Sequence, residues 1–172
     1  MTIIHPRAAA ALEANSSIPF WLWDHASFAM PICSPREFAD ALKFDPSRIA
    51  KTVLLARHSL RQHQRLMSPA ENYAAVCIPA PARMNFARVA DLLGWKRAEL
   101  ATVDELKILL GYPSGAVSPL GIGDVPLFAD TSLLAFQTIL VGSGIPGVEI
   151  EIEPQALAAI SNARLADILM TR

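Results

Sequence analysis

Apolar and polar residues alternate with two different periods along this chain, and together the periods predict strands and helices. Residues 148–153, Val-Glu-Ile-Glu-Ile-Glu, alternate with period two, which is typical of a strand with one buried face. Residues 49–56 are the most apolar strand candidate, and residues 73–78 are an apolar segment that can pair with them. Residues 85–93 instead repeat their apolar side chains at helical spacing.

Helix boundaries are marked by capping residues. Ser34 and Thr102 each precede a glutamate by three positions, which is the capping-box signature of a helix start. Gly94 and Gly111 follow helical segments and indicate their ends. Further helical segments are predicted at 7–15, 35–43, 131–136 and from Pro154 onward, and further strands at 18–23, 98–101, 125–128 and 138–141. Because these elements follow no regular βαβ order, we expect one α+β domain over residues 1–172 around a curved mixed sheet.

Composition limits the class of protein without identifying it. Apolar residues make up 52% of the 172 residues, the net charge is −1, and no apolar run reaches the ~18 residues of a membrane span. The first seven residues lack a secretory pattern, so we expect a cytoplasmic protein that does not bind membranes. Cys33 and Cys77 lie among apolar neighbours and are expected to be buried. No metal site and no cofactor are expected, and the sequence leaves the oligomeric state open.

One segment is strongly basic despite the balanced total charge. Residues 57–65 contain three arginines and two histidines and no acidic residue. A solvated hairpin tip explains this pattern, and a local contact to phosphate is the functional alternative.

Two features are candidates for chemistry. Lys51 is the one charged residue in the apolar row of strand 49–56, so its ammonium must reach water, find a partner or face a polar cavity. The segment 111–121, Gly-Tyr-Pro-Ser-Gly-Ala-Val-Ser-Pro-Leu-Gly, begins as a helix stop, because Gly111 can form a left-handed cap and Pro113 blocks continuation. Gly115 is compatible with a plain turn or with a loop that points backbone N–H groups at an oxyanion.

The order of these motifs resembles a known family. "KTVLL", "GYPSGAVSPLG", "VP…AD", a G-x-G loop leading into "GVEIEIEP" and a terminal "LADIL" together resemble the YbaK/ProX-type aminoacyl-tRNA editing domains, from about Ile18 to Ile168. Members of that family hydrolyse the ester of wrongly charged tRNA, commonly tRNA-Pro, because a binding pocket alone cannot exclude a smaller amino acid. The resemblance implies a mixed sheet wrapped toward a barrel with helices outside, mischarged tRNA as substrate, and prolyl-tRNA synthetase as a partner.

The resemblance also implies site residues. The family's lysine corresponds to Lys51, and its glycine loop to Gly115 followed by Ala116, whose N–H groups would stabilise the oxyanion. The implied substrate-binding positions are Trp23, Ser118, Asp130, Gly142, Ser143 and Glu149. Asp130 also has a structural role available, as the cap of the helical turn after it.

The attacking group and the substrate are left open by the sequence. No Ser-His-Asp or Cys-His arrangement is visible, which favours an oriented water or substrate-assisted cleavage over a covalent intermediate. The basic residues that relatives carry near 122–124 and in the loop 142–147 are missing. Affinity for tRNA would then come from a partner synthetase and segment 57–65, or the substrate has changed. A module that binds aminoacyl-adenosine or a free amino acid without turnover is the alternative function.

Overall fold

Two β-sheets form the centre of the protein. The computed structural model describes residues 3–171, so the ends of the expected domain, Met1, Thr2 and Arg172, lie outside the described residues. Eight strands occur in this range: β1 (Phe20–Asp24), β2 (Ala50–Arg57), β3 (Tyr73–Pro79), β4 (Ala98–Leu100), β5 (Leu127–Asp130), β6 (Ile139–Gly142), β7 (Val148–Ile152) and β8 (Arg164–Ala166). Three strands form one sheet in the order β1-β7-β6, and five form the other in the order β4-β2-β3-β5-β8.

The five-stranded sheet is mixed, as the sequence predicts. β2 pairs antiparallel with both β3 and β4, whereas β5 runs parallel to β3 and to β8. The three-stranded sheet is antiparallel throughout. The sheets meet where Ile49, just before β2, forms a parallel bridge to Leu140 of β6. This confirms the α+β class with a mixed sheet, although within residues 3–171 the strands do not close into a barrel.

Helices surround the sheets, and their ends follow the predicted caps. Seven α-helices lie in the described range: α1 (Pro6–Glu13), α2 (Pro35–Leu42), α3 (Gln62–Met67), α4 (Pro69–Asn72), α5 (Phe86–Leu93), α6 (Val103–Leu110) and α7 (Pro154–Ile160). Thr102 and Glu105 form the predicted capping box of α6, and Ser34 accepts a hydrogen bond from the Glu37 N–H at the start of α2. Among residues 3–171, every helix is too short or too polar to span a lipid bilayer.

β2 has an apolar core on each of its faces. Ala50 and Leu54 pack into a core shared with α1, α6 and both sheets, while Leu55 packs on the other face with α5. The alternation predicted from the sequence is therefore confirmed. Lys51 and Thr52 lie toward the end of β2 near Ile49, where the two sheets meet, and Arg57 lies at the other end.

The basic segment 57–65 is more structured than a solvated hairpin tip. Helices α3 and α4 fill the connection from β2 to β3, and Arg65 is buried in a network with Glu105 and Glu99. Tyr73 Oη donates to the same Glu105 carboxylate at 2.7 Å. Arg65 is thus committed to an internal ion pair, which removes it from a surface contact to phosphate.

The two cysteines differ in their surroundings. Cys77 is fully buried on β3, as predicted, and burial raises the pKa of its thiol to about 12. The prediction for Cys33 is wrong, because this residue is exposed in the loop before α2, where its backbone N–H donates to Glu37. A cysteine that follows an apolar residue in a loop is compatible with either position, since the local sequence does not say which side of the loop faces the core.

Candidate active site

A cavity of about 370 Å³ opens at the junction of the two sheets. Its walls come from β2, from the loop after α6, from Gly142 at the end of β6 and from Glu149 on β7. The cavity therefore brings together Lys51, Gly115, Gly142 and Glu149, which the family resemblance had implied at four separate places in the sequence. Apolar side chains, including Val53, form much of the remaining wall.

Lys51 supplies the positive charge of the cavity. Its Nζ donates to the backbone carbonyl of Ala80 at 2.8 Å and to that of Ala82 at 2.9 Å. These contacts combine two of the options open from the sequence, because the ammonium has polar partners and also lines the cavity. Part of the side chain reaches solvent, yet desolvation lowers its pKa from the ordinary lysine value. Two carbonyl acceptors leave one N–H of the ammonium available for a ligand.

The loop after α6 contributes Ser114, Gly115 and Val117 to the wall of the same cavity. Gly115 has a φ of +86°, a conformation that favours glycine, and it lines the cavity together with Ser114 and Val117. The N–H of Ala116 donates to Pro113 O at 3.2 Å, so it is already used. Within residues 3–171, the N–H groups of Gly115 and Val117 have no protein acceptor. Ser114, which also lines the cavity, likewise has an N–H without a protein acceptor in the described range, whereas the Ala116 N–H is engaged.

Packing from other segments holds this loop in place. Tyr112 Oη donates to Leu120 O at 2.5 Å, and burial raises the pKa of Tyr112 to about 12, so the hydroxyl keeps its proton. Gly144 lies so close to the Tyr112 ring that a Cβ at 144 would come within 2.6 Å of it. Gly142 lies equally close to the loop, since a Cβ there would be 2.7 Å from Val117 O. The donors therefore occupy fixed positions relative to β6.

Glu149 is the acidic group of the cavity. It is placed by β7, in register with Trp23 of β1 and Gly142 of β6, and its side chain is 20% exposed. Burial raises the pKa of its carboxyl group to about 7. Among the described residues no side chain or backbone N–H donates a hydrogen bond to this carboxyl group. A carboxyl group with this pKa can accept a proton near neutral pH and release it again.

His25 lies behind Glu149, and the sequence analysis did not select it. Its Nε2 is 3.9 Å from Glu149 Oε1 and has no hydrogen-bond partner within residues 3–171. Burial lowers the pKa of His25, with Asp24 acting in the opposite direction. The imidazole is therefore mostly neutral at pH 7, and the contact is not a full ion pair. A histidine directly after a predicted strand is a weak signal that could have drawn attention to it.

Thr52 is a second residue that the sequence analysis missed. It lines the cavity, is 7% exposed, and its hydroxyl has no nitrogen or oxygen partner among the described residues, while the Cys77 thiol lies opposite it in the strand pair. A buried polar atom without a partner is costly unless a ligand or water satisfies it. The signal in the sequence was a threonine in the otherwise apolar row that it forms with Ala50 and Leu54.

The other residues implied by the resemblance lie outside the cavity. Trp23 Nε1 donates to Glu151 at 2.7 Å on the face of β7 that also carries Glu149, and the indole packs against the buried cluster that contains Ile49. Asp130 caps the turn that follows β5 and accepts a hydrogen bond from the Ile168 N–H, which is the structural role considered from the sequence. The remaining three, Ala116, Ser118 and Ser143, are buried and hold loop conformations. None of the five lines the cavity with Lys51 in the part of the chain that the structure describes.

Residues 3–171 contain no group of three or more His, Cys, Asp or Glu side chains placed to hold a metal ion. The polar groups of the residues that line the cavity include an ammonium, backbone N–H groups without a protein acceptor, a carboxyl group and the hydroxyl groups of Thr52, Thr102 and Ser114. This combination can bind an anionic or ester-containing ligand, polarise a carbonyl and move a proton.

Comparison with known proteins agrees with the geometry. The sequence profile described as "Aminoacyl-tRNA editing domain" matches residues 30–160. A curated relative, the proposed Cys-tRNA(Pro)/Cys-tRNA(Cys) deacylase EbsC of Enterococcus faecalis, is 24% identical over 149 residues, which cover 86% of this chain and 80% of EbsC. The proline–tRNA ligase of Macrococcus caseolyticus is 22% identical over 108 residues, which cover 63% of this chain and 17% of the ligase.

Solved structures share the fold. A proposed trans-editing enzyme for prolyl-tRNA synthetase superposes with a TM-score of 0.76 at 19% identity, covering 98% of this chain and 100% of that one. The arrangement of sheets and helices described above is therefore an arrangement already known from experiment.

Proposed function

The chain belongs to the aminoacyl-tRNA editing domain family, and we propose that it hydrolyses the ester bond of mischarged aminoacyl-tRNA. One observation carries the proposal: a single cavity holds the Lys51 ammonium, the free N–H groups of the Gly115 loop and the Glu149 carboxyl group. Hydrolysis of an ester by water needs a group that holds the substrate, donors for the oxyanion and an acceptor for the proton of water.

Lys51 holds the substrate by charge. Its ammonium is fixed by the Ala80 and Ala82 carbonyls, which orient the remaining N–H. That N–H donates to the phosphate of the terminal adenosine or to an oxygen of the ester region. Desolvation lowers the pKa of Lys51, whereas the hydrogen bonds to the two carbonyls favour its charged form. A hydrogen bond from a charged group contributes about 1.5–3 kcal/mol.

The N–H groups of Gly115 and Val117 stabilise the negative charge that develops on the ester carbonyl oxygen. They are preorganised, because the loop is held by Tyr112 and by the contact of Val117 O with Gly142. Fixed donors cost no rearrangement in the transition state, and loss of one such donor typically costs about 2.7–4 kcal/mol.

Glu149 accepts the proton of the attacking water. The water oxygen forms a bond to the ester carbonyl carbon as its proton passes to the Glu149 carboxylate. The bond between that carbon and the ribose oxygen then breaks, and the proton returns from Glu149 to the ribose oxygen. The products are the free amino acid and uncharged tRNA, and Glu149 ends in its starting state. A carboxyl pKa of about 7 suits both transfers.

The proposed substrate is tRNA-Pro carrying a wrong small amino acid. The names of EbsC and of the trans-editing enzyme, and the likeness to a proline–tRNA ligase, support this choice. The cavity volume of about 370 Å³ is at the small end of the range for ligand sites, which suits a small aminoacyl group. We propose that residues 1–172 act as one editing domain, and that prolyl-tRNA synthetase is its partner.

Deacylation of a panel of mischarged tRNAs, with and without prolyl-tRNA synthetase, tests the function. We expect the protein to accelerate release of at least one amino acid above the uncatalysed rate. Lys51→Met keeps the apolar length of the side chain and removes the charge, so kcat/KM should fall about 10- to 100-fold. Lys107→Gln, at an exposed lysine of α6 outside the cavity, is the matched control. Absence of acceleration across the whole panel would refute the proposed function.

A further inference from the structure

The cavity continues onto the surface as one groove. A shallow depression beside it shares Lys51, Val53 and Leu100 with the cavity wall. A second depression shares Phe86 and Leu100 with the first. Together the two depressions, which we name the outer groove, extend from Lys51 past Phe86 to the segment before β4.

The floor of the outer groove is apolar and exposed. Phe86, at the start of α5, is 38% exposed, and Leu100 at the end of β4 is 59% exposed. Met170 contributes a third apolar side chain, also 59% exposed. An exposed aromatic ring between two flexible or branched apolar side chains is a surface on which a planar base can stack.

The sides of the outer groove are basic. Arg83, Lys96 and Arg97 line it, are exposed, and form no ion pair with an acid among residues 3–171. Glu99 is an acid that also lines this groove, and it is paired with His58 and Arg65. The free charges are therefore positive, although the chain as a whole carries a net charge of −1.

We propose that the outer groove binds the single-stranded 3′ end of tRNA, with a base stacked on Phe86 and backbone phosphates held by Arg83, Lys96 and Arg97. This inference rests on the proposed function. The ester at the 3′ end of the strand must lie in the cavity, so the preceding nucleotides must lie outside it on the protein surface. The outer groove is continuous with the cavity at Lys51 and offers the charge and the aromatic face that a single strand needs. It also supplies positive charge that the sequence analysis had assigned to segment 57–65 or to a partner.

Recognition in the outer groove is independent of base sequence. Stacking and phosphate contacts work with every base, and no buried hydrogen-bonding side chain lines the two depressions in the described range. Selection of a particular tRNA would then depend on contacts to parts of the tRNA other than its single-stranded end.

Binding of an uncharged RNA oligonucleotide that ends in CCA, measured by fluorescence anisotropy over a range of salt concentrations, tests the proposal. Lys96→Gln with Arg97→Gln should weaken binding and reduce the slope of log K against log salt by about 1.4. Phe86→Leu keeps an apolar side chain but removes the ring, and should weaken binding at least about fivefold. Arg36→Gln with Lys107→Gln removes two exposed charges outside the groove and should leave the affinity and slope closer to those of the unaltered protein.

The binding assay needs no ester chemistry, so its result is separable from that of the deacylation panel. Binding that depends on the groove residues, without deacylation of any tRNA, would support the groove and refute the activity. Equal affinity and equal salt slope for the groove variants and the unaltered protein would overturn the groove proposal even if deacylation is observed. Binding of a polyglutamate peptide with no binding of the oligonucleotide would also overturn it.

Discussion

Glu149→Gln tests the contribution of the buried carboxyl group, because it changes this group and leaves the other groups of the cavity in place. Its carboxyl group is 20% exposed and accepts no hydrogen bond from residues 3–171, and burial raises its pKa to about 7 from the ordinary value of 4.5. Glutamine has nearly the same shape and does not ionise. The substitution therefore removes one titration and leaves the packing of β7 close to unchanged.

The raised pKa gives a definite sign to the effect on stability. A group that binds its proton more tightly in the folded state contributes stability that is complete below pH 4.5 and lost as the pH rises through 7. The full difference in pKa corresponds to up to about 3 kcal/mol of unfolding free energy, since one pKa unit is about 1.4 kcal/mol. Between pH 5 and pH 8, Glu149→Gln should become more stable relative to the unaltered protein by up to that amount.

Urea unfolding at pH 5 and at pH 8 measures this change. Glu13→Gln, at an exposed glutamate of α1, is the matched control and should follow the unaltered protein at both pH values.

The rate of deacylation, after subtraction of the uncatalysed rate, should rise with pH up to about 7 in the unaltered protein. In Glu149→Gln it should be about 10²- to 10⁴-fold slower and lack that rise. Equal pH dependence of stability in the two proteins would refute the buried-acid argument, and full activity in the variant would refute the catalytic role.

Two further substitutions test the geometry around the cavity and the core beneath it. Gly142→Ala places a Cβ 2.7 Å from Val117 O, so the loop must shift, and we expect kcat to fall at least about tenfold as the oxyanion donors move. In the control Gly123→Ala a Cβ meets nothing within 4 Å, so this variant carries the backbone strain of a φ of +76° without a clash against Val117, and equal kcat for the two variants would contradict the role of the loop. Arg65→Met leaves the fully buried Glu105 without its cation, so urea unfolding should show a loss of about 3 kcal/mol. Arg61→Met, at an exposed arginine, should cost much less, and a loss below about 1 kcal/mol for Arg65→Met would show that the buried ion pair contributes little.

Local signals in the sequence predicted most of the fold. The capping residues Ser34 and Thr102 lie at helix starts, and Gly94 and Gly111 end helices in the left-handed conformation. The segment 57–72 was not predicted, because its two short helices are stabilised by the buried Arg65 network rather than by a local pattern. The three-residue strand β8 was missed as well, since it is too short to show a period and forms only by pairing with β5.

Part of the candidate site could be predicted from the sequence, because the family resemblance assigns site residues to positions in this chain. Lys51, Gly115, Gly142 and Glu149 do meet in one cavity. The resemblance could not show which N–H groups of the loop are free, since the use of the Ala116 N–H by Pro113 O is a property of the turn. It also gave no reason to select Thr52 or His25, whose significance comes from burial without a hydrogen-bond partner.

The pairing of β1 with β7 has a consequence for biosynthesis. Phe20 pairs with Ile152, so the three-stranded sheet can assemble only after the chain has left the ribosome as far as Ile152. Lys51 and its neighbours on β2 and β3 are synthesised much earlier, but the wall that carries Glu149 reaches them last. A nascent chain that has not yet released β7 therefore lacks a complete cavity, and the proposed editing activity can begin only after that strand has joined the sheet.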